Sequence, residues 1–225
     1  MIIAAQNISR DTGGRLSIDG DWFPGSLPLN IYLDEMSYPD TAFSFTGFHS
    51  EIKNSLYFGY ASGNYGRSVF IGGKNSEINI GKFVVLQGTN IICNKSIIIK
   101  DHCMLSWGSV VTDSWINAST ISIEVRRKLL DMAASDPNRY LEFLEPDPVV
   151  VEDNVWIGFK SVILPGVTLG RGCVVGSNSI IAEDVPPYAV VAGNPSRLIR
   201  YLEPNDTEEI KHEALKKYVK GTTPL

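Results

Sequence analysis

The sequence predicts an all-β-dominated chain organised as a parallel β-helix of short strands, on three observations. Aliphatic residues recur every six positions, at Val151, Ile157, Ile163, Leu169, Val175 and Ile181. Four positions after each stand small or β-branched residues, at Val155, Ser161, Val167, Cys173, Ser179 and Val185. Glycines interrupt the same run at Gly158, Gly170 and Gly176. A helix with 3.6 residues per turn generates no such spacing, and neither does a hairpin that alternates in twos. A hexapeptide repeat does.

Each six-residue unit is then a short strand plus a turn, and three units make one triangular coil of about 18 residues. The aliphatic side chain points inward, and small residues let the backbone turn the corner. Burial of each inward aliphatic contributes roughly 1.5–3 kcal/mol, and only neighbouring coils can supply that burial. The phase also runs upstream through Ile80, Leu86 and Ile92, slips by one residue to Ile99, and resumes at Leu105 and Val111. The slip predicts an irregular corner near residues 96–98.

Between Val111 and Val151 the pattern vanishes, which predicts a loop or helical excursion; unstructured loops of such length are uncommon and often functional. Within it SIEVRRKLLDMAA (122–134) reads as a helix, and DPNRYLEFL (136–144) offers Asp136 as N-cap with Pro137 at the first helical position. The expected organisation is a small strand-containing cap over 1–75, a β-helix over 76–200 with an inserted loop at 112–150, and a C-terminal helix over 201–225. That last helix would carry acids in its first turn, lysines in its last, and Ile210, Ala214 and Tyr218 on its inner face.

Composition narrows the class of function. The 225 residues are 44% hydrophobic, with no apolar run long enough to span a bilayer. The opening MIIAAQNISRDTGG lacks a basic leader with a long apolar stretch, so the expected compartment is the cytoplasm. Cys93, Cys103 and Cys173 are an odd count without CxxC spacing, which argues against a disulfide framework or a zinc knuckle. A formal charge of −5 without a Lys/Arg block gives no electrostatic reason for a nucleic-acid partner.

Two segments, VEDNVWIGFKSVILPGVTLGRGCVVGSNSIIAEDVPPYAVVAGNPSRLIR (151–200) and IIIKDHCMLSWGSVVTD (97–113), carry a resemblance. On these residues the chain resembles the hexapeptide-repeat acyltransferases, in the branch holding xenobiotic acetyltransferases and the O-acetyltransferases of bacterial surface sugars. The resemblance implies a left-handed parallel β-helix, a homotrimer, and acetyl-CoA or another acyl-CoA lying in a groove between adjacent β-helices as co-substrate. It also implies coenzyme contacts at Gly158, Ser177, Ala182 and Arg197. Small residues at the first three would let the pantetheine arm run close to the backbone, and Arg197 would meet a phosphate. Glu183 departs from the pattern, since many relatives place a lysine there.

Acyl transfer from a thioester to a hydroxyl or amine needs a general base, and histidine suits that role because its pKa lies near neutrality. In the family this histidine follows the coil that corresponds to LSWGSVV. Here the segment reads TDSWINAST (112–120) and holds none. His102, in the KDHCM corner, is the one histidine inside the matched repeat; it is either the base or an exposed corner residue. His49 reads as an exposed residue of the cap, and His212 as part of a solvated helix face. Asp113 is a candidate carboxylate base or an ordinary turn former. Asn117 is placed to hydrogen-bond an acceptor but cannot remove its proton. Trp107 and Trp115 are expected to stack on a sugar ring or to pack between subunits.

Three readings stay open at this point. The first is an acetyl-CoA-dependent O- or N-acetyltransferase acting on a sugar-like acceptor, without a metal. The second is a binding or scaffold protein that keeps the β-helix without catalysis. The third is a zinc hydratase of the same fold, which requires three histidines to converge on a metal.

Overall fold

The structure, a computed structural model, describes residues 8–10, 12, 14–115, 122–135 and 146–204. β1 (Ile8–Arg10) and β2 (Leu16–Ile18) form an antiparallel hairpin. The chain then winds through six coils of three strands. The first holds β3 (Ile31–Leu33), β4 (Tyr38–Pro39) and β5 (Gly47–Phe48), and the second β6 (Leu56–Phe58), β7 (Gly63–Tyr65) and β8 (Val69–Gly72). The third holds β9 (Glu77–Ile80), β10 (Val85–Gln87) and β11 (Asn90–Cys93), and the fourth β12 (Ser96–Ile99), β13 (Met104–Leu105) and β14 (Val110–Thr112). After α1 (Ile123–Ser135) come β15 (Val149–Val151), β16 (Trp156–Ile157) and β17 (Val162–Ile163) in the fifth coil. The sixth holds β18 (Thr168–Leu169), β19 (Val174–Val175) and β20 (Ile180–Ile181), and β21 (Ala189–Ala192) with β22 (Arg197–Tyr201) closes the stack.

Corresponding strands pair in parallel to make three faces. Face one runs β3-β6-β9-β12-β15-β18, face two β4-β7-β10-β13-β16-β19-β21-β22, and face three β5-β8-β11-β14-β17-β20. Only β22 on face two is antiparallel. The architecture is a left-handed parallel β-helix. Among the described residues no helix is long and apolar enough to cross a membrane.

The six-residue register fills the interior as expected. Val151, Ile157, Ile163, Leu169 and Ile181 are fully buried and Val175 is 1% exposed. The small positions four residues later, from Val155 to Val185, are buried too. One expectation is corrected: Ile92 faces outward, and Ile91 and Cys93 on either side of it fill the core. The register is lost one strand earlier than the sequence suggests, at the turn after Gln87, where five residues rather than six separate Leu86 from Ile91.

The parallel ladders also begin at Ile31, well before residue 76, so the first two coils lie inside the segment expected to be a cap. Leu33, Pro39 and Phe45 keep the six-residue spacing, as do Phe58, Asn64 and Phe70. Aromatic and polar residue types hide it. Phe45 stacks on Phe70 with centroids 5.0 Å apart, Phe58 meets Phe70 edge-on at 5.6 Å, and Asn64 donates to the Ser44 hydroxyl at 3.2 Å inside the core. The hairpin and the Trp22, Phe23 and Phe43 cluster cover this end.

The corner between faces one and two repeats a left-handed backbone at Met36, Ala61, Phe83, His102, Asn154, Gly172 and Tyr188, with φ between 55° and 67°. From Ala61 onward each of these amides donates to a carbonyl of the coil below, as His102 does to Lys82 at 2.8 Å and Asn154 to Asp101 at 2.9 Å. A non-glycine residue in this conformation costs about 1–2 kcal/mol, which the ladder offsets. The helix expected over 122–134 is present as α1, with the Ser122 hydroxyl accepting from Val125 N at 3.2 Å. The expectations for Asp136 and Pro137 and for the C-terminal helix with Ile210, Ala214, Tyr218 and His212 lie outside the described residues.

Candidate active site

Face two carries a row of small residues, each one position past an inward aliphatic: Ser106, Gly158, Gly176 and Ala192. Ladder pairing aligns their strands, and Ala192 is the register partner of Arg197 on β22. On one side the row is walled by Met104, Trp156, Val174 and Val190. The Trp156 indole N–H donates to the Ser106 hydroxyl at 3.2 Å, tilting the ring over the row. On the other side stand Trp107 and Phe159, whose rings stack with centroids 6.0 Å apart. Trp107, Trp156 and Phe159 are each about half exposed.

The structure brings three of the four expected coenzyme residues to this strip. A Cβ added to Gly158 would lie 2.7 Å from Ser177 N and 2.9 Å from its hydroxyl, so the two residues touch. Gly158 is buried, and the space a side chain would take there is filled by the next coil. Ser177 and Arg197 are exposed, the latter along the same row, and its guanidinium donates to the Ser196 carbonyl at 2.8 Å. Ala182 stands apart, exposed just past β20 at the far edge of face three.

The two expected bases are not brought together. His102 is exposed at the corner of faces one and two, its ring stacked on Phe83 with centroids 5.1 Å apart and planes 20° from parallel. Met104 and Leu105 separate it from Ser106 and Trp107 at the opposite edge of face two. Asp113 lies past β14, at the corner of faces three and one, fully buried. Its carboxylate accepts from the amides of Asn94 and Lys95, each at 2.8 Å, from Ser96 N at 2.9 Å, from the Ser114 hydroxyl at 2.5 Å and from the Cys93 thiol at 3.3 Å. The reading of Asp113 as a general base is thereby corrected. Its lone pairs are engaged, and burial shuts out an acceptor.

Trp115 is half exposed at the start of the excursion, two residues past Asp113, while Asn117 lies outside the described residues. His49, at the face three edge of the first coil, and His102, in the fourth, occupy different corners, so these two do not converge on one point. Among the described residues no group of three His, Cys, Asp or Glu side chains is arranged to hold a metal ion. Sequence reasoning overlooked the row itself. The 18-residue step from Gly158 to Gly176 was the available signal.

Residues 148–183, the fifth and sixth coils that carry much of this strip, match the bacterial transferase hexapeptide (six repeats) family. These residues are hexapeptide repeats of the bacterial transferase kind. Galactoside O-acetyltransferase of Escherichia coli is 45% identical over 71 residues, 32% of this chain and 33% of that protein. A hexapeptide-repeat acetyltransferase of Vibrio cholerae, solved with acetyl coenzyme A, is 28% identical with a TM-score of 0.51, over 71% of this chain and 74% of that one. An N-acyltransferase of Bacillus cereus, solved with dTDP and coenzyme A, shares the fold over 86% of this chain and 90% of its own at 17% identity, with a TM-score of 0.56. Such coverage takes in the early coils as well as the hexapeptide-repeat segment. The chain spans between 27% and 39% of the length of the curated relatives it matches.

Proposed function

We propose that the chain is an acyltransferase that moves an acetyl or other acyl group from acyl-coenzyme A to a hydroxyl or amine of a sugar-like acceptor. The observation that carries this reading is the strip on face two, where the hexapeptide-repeat segment joins a row of small residues to the exposed Ser177 and Arg197. Arg197 would meet a phosphate of the coenzyme. Trp107 and Trp115 would stack on the acceptor's ring. In the reaction the acceptor oxygen or nitrogen attacks the thioester carbonyl, its proton passes to a base, the carbon–sulfur bond breaks and the thiolate of coenzyme A leaves. His102 is the proposed base, reached by a groove that a second subunit completes in a cytoplasmic homotrimer. Exposed Met104, Trp156, Phe159, Leu198 and Tyr201 on face two support such assembly.

The test is release of free thiol from acetyl-CoA in the presence of galactoside acceptors. Thiol release that rises with the acceptor supports the reading, and release that ignores every acceptor counts against it. The second reading, a binding scaffold, draws support from one observation: Asp113, the candidate carboxylate base, is locked in backbone hydrogen bonds.

A further inference from the structure

Asp113 ties together three pieces of chain that a triangular coil would otherwise leave loose. One step beyond the Thr112–Ile92 pair, it falls level with inward Cys93 on the neighbouring strand. Its two oxygens face five donors: three consecutive amides of the 94–96 turn, the Cys93 thiol and the Ser114 hydroxyl. Its carbonyl accepts from Asp147 N at 2.8 Å, and the Asp147 carbonyl accepts from Gly166 N at 3.0 Å in the next coil. The departing turn is closed locally, since the Thr112 hydroxyl donates to Ser114 O at 2.6 Å and accepts from Ser114 N at 3.1 Å.

Only a carboxylate satisfies this ring of donors. An asparagine of the same shape offers one acceptor oxygen and turns an NH2 group toward amide hydrogens, leaving buried donors unpaired. The chain leaves the β-helix at Ser114, whose hydroxyl the Asp113 carboxylate holds, and returns at Asp147, whose amide the Asp113 main-chain carbonyl holds. Trp115 is the first exposed side chain beyond it.

We propose that Asp113 is a positioning residue: it pins both ends of the excursion to one corner of the β-helix and so sets the place of the Trp115 indole as a wall for the acceptor. The acceptor part of this proposal rests on the acyl-transfer reading; the pinning does not.

The test labels the chain with fluorotryptophan, so that Trp22, Trp107, Trp115 and Trp156 report separately by fluorine NMR, with Trp115 assigned through Trp115→Phe. Asp113→Asn is expected to shift or broaden the Trp115 resonance alone, and Ser114→Ala, which removes one of the five donors, to shift it less. An unmoved Trp115 resonance in Asp113→Asn overturns the proposal, and so does a common shift of all four. Should Asp113→Asn fail to fold, Ser114→Ala decides by the same criterion. With a methyl galactoside as acceptor probe, Asp113→Asn is expected to raise the acceptor KM about tenfold while coenzyme A affinity stays within about twofold. An unchanged acceptor KM overturns the acceptor role. A wild-type chain that binds no coenzyme A sinks the acyl-transfer reading and leaves the resonance result standing on its own.

Discussion

Trp107 and Phe159 stack across two successive coils with their planes only 5° from parallel, and the Trp107 carbonyl accepts from Lys160 N at 3.0 Å between them. The indole also lies over two earlier coils. A Cβ at Gly88 would come 2.7 Å from Trp107 Cδ1, and one at Gly66 would come 2.8 Å from its Nε1. Both glycines have positive φ, at +54° and +63°. Gly88→Ala is therefore expected to destabilise by about 2–5 kcal/mol, the sum of left-handed strain and overpacking. Urea denaturation measures it, and Trp107→Ala in the same background should recover the packing part in a double-mutant cycle.

The Ile97, Ile98 and Ile99 run tests the register. Ile97 and Ile99 are fully buried, whereas Ile98 is 37% exposed on the outer side of face one. Ile99→Ala should cost about 2–5 kcal/mol in urea denaturation and Ile98→Ala less than about 1 kcal/mol. Equal costs would mean that the strand does not alternate.

Stability should fall in alkali. Burial pushes all three thiols up, Cys103 and Cys173 to about 12 from an ordinary 9.0, with the Asp113 charge adding to burial at Cys93. The folded chain thus holds these protons more tightly than the unfolded one. Their contribution is fully present below about pH 9 and is lost as pH rises toward 12. Urea midpoints across that window should drop, and replacement of Cys103 and Cys173 by alanine should flatten the decline. In the native state neither thiol should react with a disulfide reagent at pH values near neutrality.

His102 can be removed without disturbing its corner. Asn154 holds the same left-handed position one coil higher, with φ 61° against 60°. His102→Asn should therefore fold with a midpoint close to wild type, bind coenzyme A, and lose acyl transfer by about 10²–10⁴-fold if the imidazole is the base. Retained turnover clears it of that role.

Much of the coil was legible because the inward residues from Val151 to Ile181 are all Val, Ile or Leu at one spacing. The first two coils use the same spacing, yet Pro39, Asn64 and Phe70 break the aliphatic signal while still filling the interior. Ile92 misled for a simpler reason: three adjacent β-favouring residues, Ile91, Ile92 and Cys93, leave the phase undetermined until the neighbouring strands fix it. Asp113 could be named from sequence but not understood, since its partners at 94–96 are distant in sequence and adjacent only once coils three and four stack. The contact between Gly158 and Ser177 was equally hidden, since the two stand 19 positions apart in the chain. Whether a glycine admits a ligand or a neighbouring coil depends on what stands 2.7 Å away.

Calorimetric titration of coenzyme A into the purified chain tests the central claim most directly. Saturable heat is predicted from the face two strip, weakened by Arg197→Ala and retained in His102→Asn. No heat at ligand concentrations on the order of a millimolar would contradict the claim.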